Sequence, residues 1–197
     1  MPSPDLRDRT SAEKRIWFAL RDLKRVNSLT PAYLDLNDRG FEVFTPMKEV
    51  VVTRQGRRQR ISRPVVQDLL FVHALRSELD PVVEMVPTLQ YRFSKGMGYR
   101  QPMVVPDRQM DAFIKAVTNA EAPRFYRPEE ITPAMAGCRA RILGGPFDGI
   151  ECRLMRIRGA RTRRILVEVT GLMAVSVEVN PEYVQILPEP DKTTDNQ

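Results

Sequence analysis

The stretch that most constrains this chain is Gly144-Gly145-Pro146-Phe147-Asp148-Gly149. Gly-Gly-Pro continues neither a helix nor a central strand, and Asp-Gly closes a turn. Before it, Cys138-Arg139-Ala140-Arg141-Ile142 alternates small or apolar residues with arginine. After it, Arg153-Leu154-Met155-Arg156-Ile157-Arg158 alternates again. Period-two patterning on both sides of a loop predicts an antiparallel pair with one buried face. Further strands are predicted over Ile165, Val167 and Val169, over Val175, Val177 and Val179 with Ser176 and Glu178 facing out, and over residues 183 to 187. Five short strands in so few residues predict a small closed barrel, which leaves no unprotected edge.

The remainder of the chain is mixed. Ile16-Trp17-Phe18-Ala19-Leu20 is a continuous apolar run, the pattern of a central strand. Thr30 before Pro31 predicts a helix start, and Gly40 its end. Strands are predicted over residues 41 to 46, 49 to 53, 65 to 73 and 89 to 93. Arg54-Gln55-Gly56-Arg57-Arg58-Gln59-Arg60 is expected as a hairpin tip, Ser77 as the cap of a short helix, and Gly96-Met97-Gly98 as a turn. Asp107 opens a last helix, with Met110, Phe113, Ile114 and Val117 on one buried face. Prolines at 123, 128 and 133 mark a semi-stiff linker. The expected class is α+β: residues 14 to 117 a mixed-sheet domain, 118 to 133 a linker, 134 to 188 the barrel.

The residues 137 to 151, with Gly145-Pro146-Phe147 and Gly149, resemble the KOW motif of the NusG family of transcription elongation factors. Cys152 stands where that pattern usually has its last glycine. The order of Trp17-Phe18-Ala19-Leu20, Phe41-Glu42-Val43-Phe44-Thr45-Pro46 and Arg63 through Val72 is similar to the first three strands of the family's N-terminal (NGN) domain. Val65-Val66-Gln67-Asp68-Leu69 replaces the aromatic-aromatic-Pro-Gly-Tyr of the housekeeping form and resembles the specialised, UpxY-type antiterminators of long surface-polysaccharide operons.

The resemblance implies an NGN sheet with helices, followed by an SH3-like KOW β-barrel. It implies a protein that binds the clamp helices of the largest RNA polymerase subunit through Val66, Leu69, Phe71, Phe93, Met110 and Ile114. By periodicity alone, Phe71 and Ile114 read equally as core. It further implies that Phe147, Leu172 and Met173 anchor a second partner, a ribosomal protein also known as NusE, or Rho. Some specialised members hold this domain as a helical hairpin. Here β-branched Val175, Val177 and Val179, with glycines at the turns, predict strands and an open docking face.

Charge supports a polyanionic neighbour. The 197 residues carry a formal charge of +6 with a pI near 9.6. Between positions 54 and 63 lie Arg54, Arg57, Arg58, Arg60 and Arg63 with no acid. Such a hairpin can follow phosphates of DNA near the transcription bubble, or simply be solvated. Arg156, Arg158, Arg161, Arg163 and Arg164 crowd a second hairpin, a candidate contact for RNA.

Catalysis finds no foothold. The one histidine, His73, sits in an apolar run, and no ligand-spaced cluster or phosphate-cradling loop exists. No cofactor or metal is expected. Cys138 and Cys152 are too few for a disulfide scaffold, and Cys138 reads as a small core residue. With no leader-like or membrane-length apolar run, a cytoplasmic protein is expected. The rival reading is a ribosome-associated RNA-binding protein with a KOW barrel; a housekeeping factor that recruits Rho is the nearer alternative.

Overall fold

Strand β1 (Ile16–Asp22) is the spine of the N-terminal sheet, because its apolar run satisfies both faces at once. The computed structural model describes residues 14–25, 28–94, 101–155 and 163–189. It divides into two units between Val105 and Pro106.

In the first unit, helix α1 (Ala32–Asp38) is followed by β2 (Glu42–Phe44), then by the ribbon strands β3 (Met47–Arg54) and β4 (Arg57–Pro64). Next come β5 (Leu70–Ala74), helix α2 (Arg76–Met85), β6 (Leu89–Tyr91) and β7 (Val104–Val105). The sheet runs β2-β5-β1-β6, with β7 also on β1, and every pairing is antiparallel. Phe18, Leu20, Leu70, Val72 and Ala74 point to one face and meet Ala32 and Leu36 of α1 and Leu79 of α2. Full burial of such a side chain contributes about 1.5–3 kcal/mol.

Helix α1 does not take its cap from Thr30. Pro31 is the N-cap and contributes no side-chain bond. Instead Asp22, at the end of β1, accepts from the Ala32 amide (2.7 Å) and from the Lys24 amide (2.9 Å). A carboxylate ten residues upstream serves the helix start, where the free N–H groups and the dipole favour negative charge. Gly40 ends the helix as expected, with φ of +87°. Ser77 is likewise no cap, since the helix begins at Arg76 after Leu75.

Two sequence-based boundaries move. Residues 57 to 60, expected in a hairpin tip, belong to β4, because the turn needs only Gln55 and Gly56. Residues 65 to 69, expected in a strand, form a loop closed by Leu69 N–H to Val66 O (3.3 Å). The turn expected at 96 to 98 lies outside the described residues.

The second unit begins with helix α3 (Asp107–Asn119) and β8 (Arg124–Tyr126). It continues with β9 (Ala136–Ile142), β10 (Glu151–Met155), β11 (Arg163–Val169), β12 (Met173–Val179) and β13 (Val184–Ile186). The sheet order is β13-β9-β10-β11-β12-β8. Among the described residues no pairing joins β13 to β8, so the expected closed barrel is an open succession of six strands. The valines at 175, 177 and 179 do form strand.

The predicted linker is not a plain linker: β8 lies inside it and pairs with β12. The last helix, expected with the N-terminal sheet, packs instead on β11 and β12 of its own unit. Met110, Phe113 and Ala116 form its buried face. Alternation predicts Ser176 exposed, yet it is fully buried: Arg164 Nε donates to its Oγ, and the same guanidinium reaches the Ala122 carbonyl.

Candidate functional site

The loop at 144 to 149 is a tightly closed turn. Gly149 N–H donates to Ile142 O (2.8 Å), and Asp148 Oδ1 accepts from the Gly144 amide (2.6 Å). Gly144 and Gly145 have φ of +108° and +68°, and a Cβ on either would stand 3.0–3.2 Å from the Tyr183 ring. Both glycines are therefore needed for conformation and for room. Gly149, at +80°, takes the remaining left-handed position, so Cys152 is free to continue β10.

The residues expected to anchor a second partner here are core. Phe147 and Leu172 are buried, and Met173 is 1 % exposed. Helix α3 lies beside this turn: Lys115 Nζ donates to Asp148 O (2.5 Å) and Asn119 Nδ2 to Pro146 O (3.3 Å). A single sequence offers no sign that a helix thirty residues upstream covers the loop.

The expected polymerase-binding set separates. Phe71 and Leu69 are buried in the first unit, and Met110 is buried in the second. Ile114 is half-buried on α3. Val66 is half-buried in the loop before β5, and Phe93 is 54 % exposed, held by a bridge to Pro102. Of the set, Val66 and Phe93 alone remain accessible in the first unit. Leu69, at 3 % exposure, is a packing residue.

Three residues outside the expected set organise this end of the sheet. Asp68 accepts from Arg21 (3.3 Å) and pairs with Arg92 (3.0 Å). Arg92 also donates to the Asp68 carbonyl (3.1 Å), tying the loop of Val66 to the segment of Phe93. Burial lowers the Arg92 pKa, with Asp68 acting against that shift. The broken apolar run Val66-Gln67-Asp68-Leu69 was the available signal.

The arginines at 54 to 63 stand on the β3–β4 ribbon, a two-stranded sheet separate from the rest. Arg54, Arg57, Arg58 and Arg60 are exposed and Arg63 is half-buried. Arg60 faces Glu49 at 3.8 Å, and both are largely solvated.

Of the second arginine group, Arg156, Arg158 and Arg161 lie outside the described residues. Arg163 is exposed, but Arg164 is 4 % exposed and is no surface contact. Its Nε donates to Ser176 Oγ (3.2 Å), and Nη2 to the carbonyls of Ser176 (2.8 Å) and Ala122 (3.3 Å). Its Nη1 reaches Glu178 (2.7 Å).

A cleft of about 640 Å³ in the second unit holds Glu151, which is bound by Arg141 and Arg108 and lies 3.6 Å from Arg139. The Arg141 hydrogen bond, foremost, holds its carboxyl below the ordinary range. The cleft is lined by four cationic and four acidic side chains, so it presents no net charge to a ligand. Beside it, burial pushes the Cys152 thiol up to about 12, which keeps it protonated and inert.

His73 stacks on Trp17 (centroids 4.9 Å apart) and lies 2.7 Å from Glu42, both structural contacts. Among the described residues there is no group of three or more His, Cys, Asp or Glu placed to hold a metal, and no helix is long and apolar enough to cross a membrane.

With this geometry in place, known proteins supply a frame. A family model described as "Transcription termination factor nusG" matches residues 10–114. Among solved structures, the chain is similar to one described as "Domain interaction in Thermotoga maritima NusG", at 16 % identity and a TM-score of 0.45. That similarity covers 90 % of this chain and 100 % of the other. No curated protein matches.

Proposed function

The chain belongs to the NusG family of transcription factors, and from that premise we propose that it is an elongation factor that binds RNA polymerase and suppresses pausing or termination. The observation that carries this reading is the family match itself, which spans the whole N-terminal sheet. The clamp helices of the largest subunit are the proposed partner. Val66 and Phe93 are the proposed contacts, held in place by Arg92 and Asp68. Leu69 and Phe71 act as the packing behind them, whereas Met110 belongs to the core of the second unit. The arginines of the ribbon are the proposed contact to DNA near the transcription bubble. The sequence Val65-Val66-Gln67-Asp68-Leu69 favours a specialised, operon-restricted antiterminator over the housekeeping form.

The test is retention of purified RNA polymerase elongation complexes on the immobilised full chain, beside pause duration on a template. The wild type should retain polymerase and shorten pauses. Val66→Asp and Phe93→Asp should each weaken retention by about tenfold or more, equivalent to about 1.4 kcal/mol, without changing the melting curve. Retention of ribosomal RNA instead of polymerase would replace this reading with that of a ribosome-bound factor.

A further inference from the structure

Two guanidinium groups converge on one carboxylate oxygen beside the accessible pair Val66 and Phe93. Arg21 Nε lies 3.3 Å and Arg92 Nη2 3.0 Å from Asp68 Oδ2. The two arginines are not equivalent. Arg92 is half-buried, and its backbone is bonded to Ala19 on one side and Met103 on the other. Its Nη2 also donates to the Asp68 carbonyl (3.1 Å), so it braces the loop of Val66. Arg21 stands on β1, and its side chain is 47 % exposed. Among the described residues Asp68 alone bonds it, through Nε, which leaves the outer Nη edge of the guanidinium to solvent.

One acid therefore serves two cations, and it is held chiefly by the half-buried one, where an ion pair is least screened. Burial, the larger cause, and the Arg21 charge both lower the Arg92 pKa, with Asp68 acting against them. The single positive charge in excess lies on the exposed arginine, between apolar neighbours: Val66 two residues from Asp68, and Phe93, 54 % exposed, next to Arg92. Nucleic acid is gripped by several cations in a row. One cation set among apolar side chains suits a protein surface instead, and the planar edge of a guanidinium matches a carboxylate.

We propose that Arg21 is a specificity-determining contact: the surface of RNA polymerase that seats on Val66 and Phe93 carries an Asp or Glu carboxylate that takes the free edge of its guanidinium. Asp68 and Arg92 hold that edge in place. This deepens the polymerase contact proposed above and rests on that reading.

The experiment measures association and dissociation rates of the full chain on immobilised RNA polymerase elongation complexes at low and high salt. A charge at the rim of a contact acts mainly on the association rate, and salt screens it. Arg21→Gln should associate about threefold or more slower than wild type at about 50 mM salt and within about twofold of it at about 500 mM, with an unchanged melting curve. Asp68→Asn removes the acid and keeps both cations. It should associate at least as fast as wild type at low salt and dissociate faster, because the loop of Val66 loses its tie. Equal low-salt association of wild type and Arg21→Gln would overturn the proposal. So would equal slowing by Asp68→Asn, which marks a purely structural cluster, or an equal loss of Arg21→Gln affinity for a free DNA duplex, which assigns Arg21 to phosphate. A wild type that holds polymerase while Arg21→Gln changes nothing sinks this contact alone; a wild type that fails to hold polymerase sinks the elongation-factor reading itself.

Discussion

Arg164 shows how far one side chain's role depends on distant partners. In the sequence it is one of a run of arginines beside a predicted hairpin, and it reads as a surface cation. In the fold it is buried and satisfies Ser176 and the Ala122 carbonyl, twelve and forty-two residues away. Replacing it with Met keeps the volume but leaves buried acceptors without donors. The expected cost is about 3 kcal/mol by urea unfolding, and Arg164→Lys should recover less than half, since an ammonium lacks the planar fork. Cys152 carries a second prediction at this scale. Its folded pKa of about 12 lies above the unfolded value, so its contribution is whole below about pH 8.5 and is lost as pH rises toward 12. In a Cys138→Ser chain, the remaining thiol should resist a disulfide reagent at pH 8 until urea unfolds the protein. Asp22 repeats the lesson: Thr-Pro is a sound local start signal, and a carboxylate brought in by β1 takes the role instead.

Among elements, type was more legible than partnership. Helix α3 was readable because Met110, Phe113 and Val117 recur at helical spacing, and that periodicity reports a buried face whatever lies opposite. What lies opposite is β11 and β12, and periodicity carries no address. The same limit bears on Phe147, in the turn that α3 contacts, and on Leu172 and Met173: the sequence offers all three as loop residues, and all three are buried. Strand β8 was missed because three residues among prolines show no alternation. The expected consequence is measurable. Residues 106 to 197 should unfold in a single cooperative transition. Residues 134 to 197, stripped of α3 and β8, should bind a hydrophobic dye and lose near-ultraviolet circular dichroism, since Met173, Val175 and Phe147 lose their cover. Equal cooperativity in the two fragments would show that α3 is dispensable to the sheet.

For the molecule as a whole, two units and a mixed α and β composition were legible from the change of pattern along the chain. The division itself falls at Val105 and Pro106, ahead of α3 and not after it. The family match ends at residue 114, inside that helix, so the likeness of sequence and the grouping of contacts part company by about two helical turns. The candidate surface was half legible: of the expected residues the fold leaves Val66 and Phe93 accessible, whereas the Asp68–Arg92 pair that joins their segments had no counterpart in the sequence reading. The ribbon has a consequence of another kind. It leaves and re-enters the fold at one point, where Met47 pairs with Pro64 and the Val65 amide meets the Pro46 carbonyl at 2.8 Å. Its whole length lies beyond that closed base. In evolutionary terms it is a cassette: one in-frame insertion or excision can lengthen, recharge or remove it while the five-stranded sheet keeps its frame. A lineage can then change what this extension offers to a neighbour without altering the sheet that carries it.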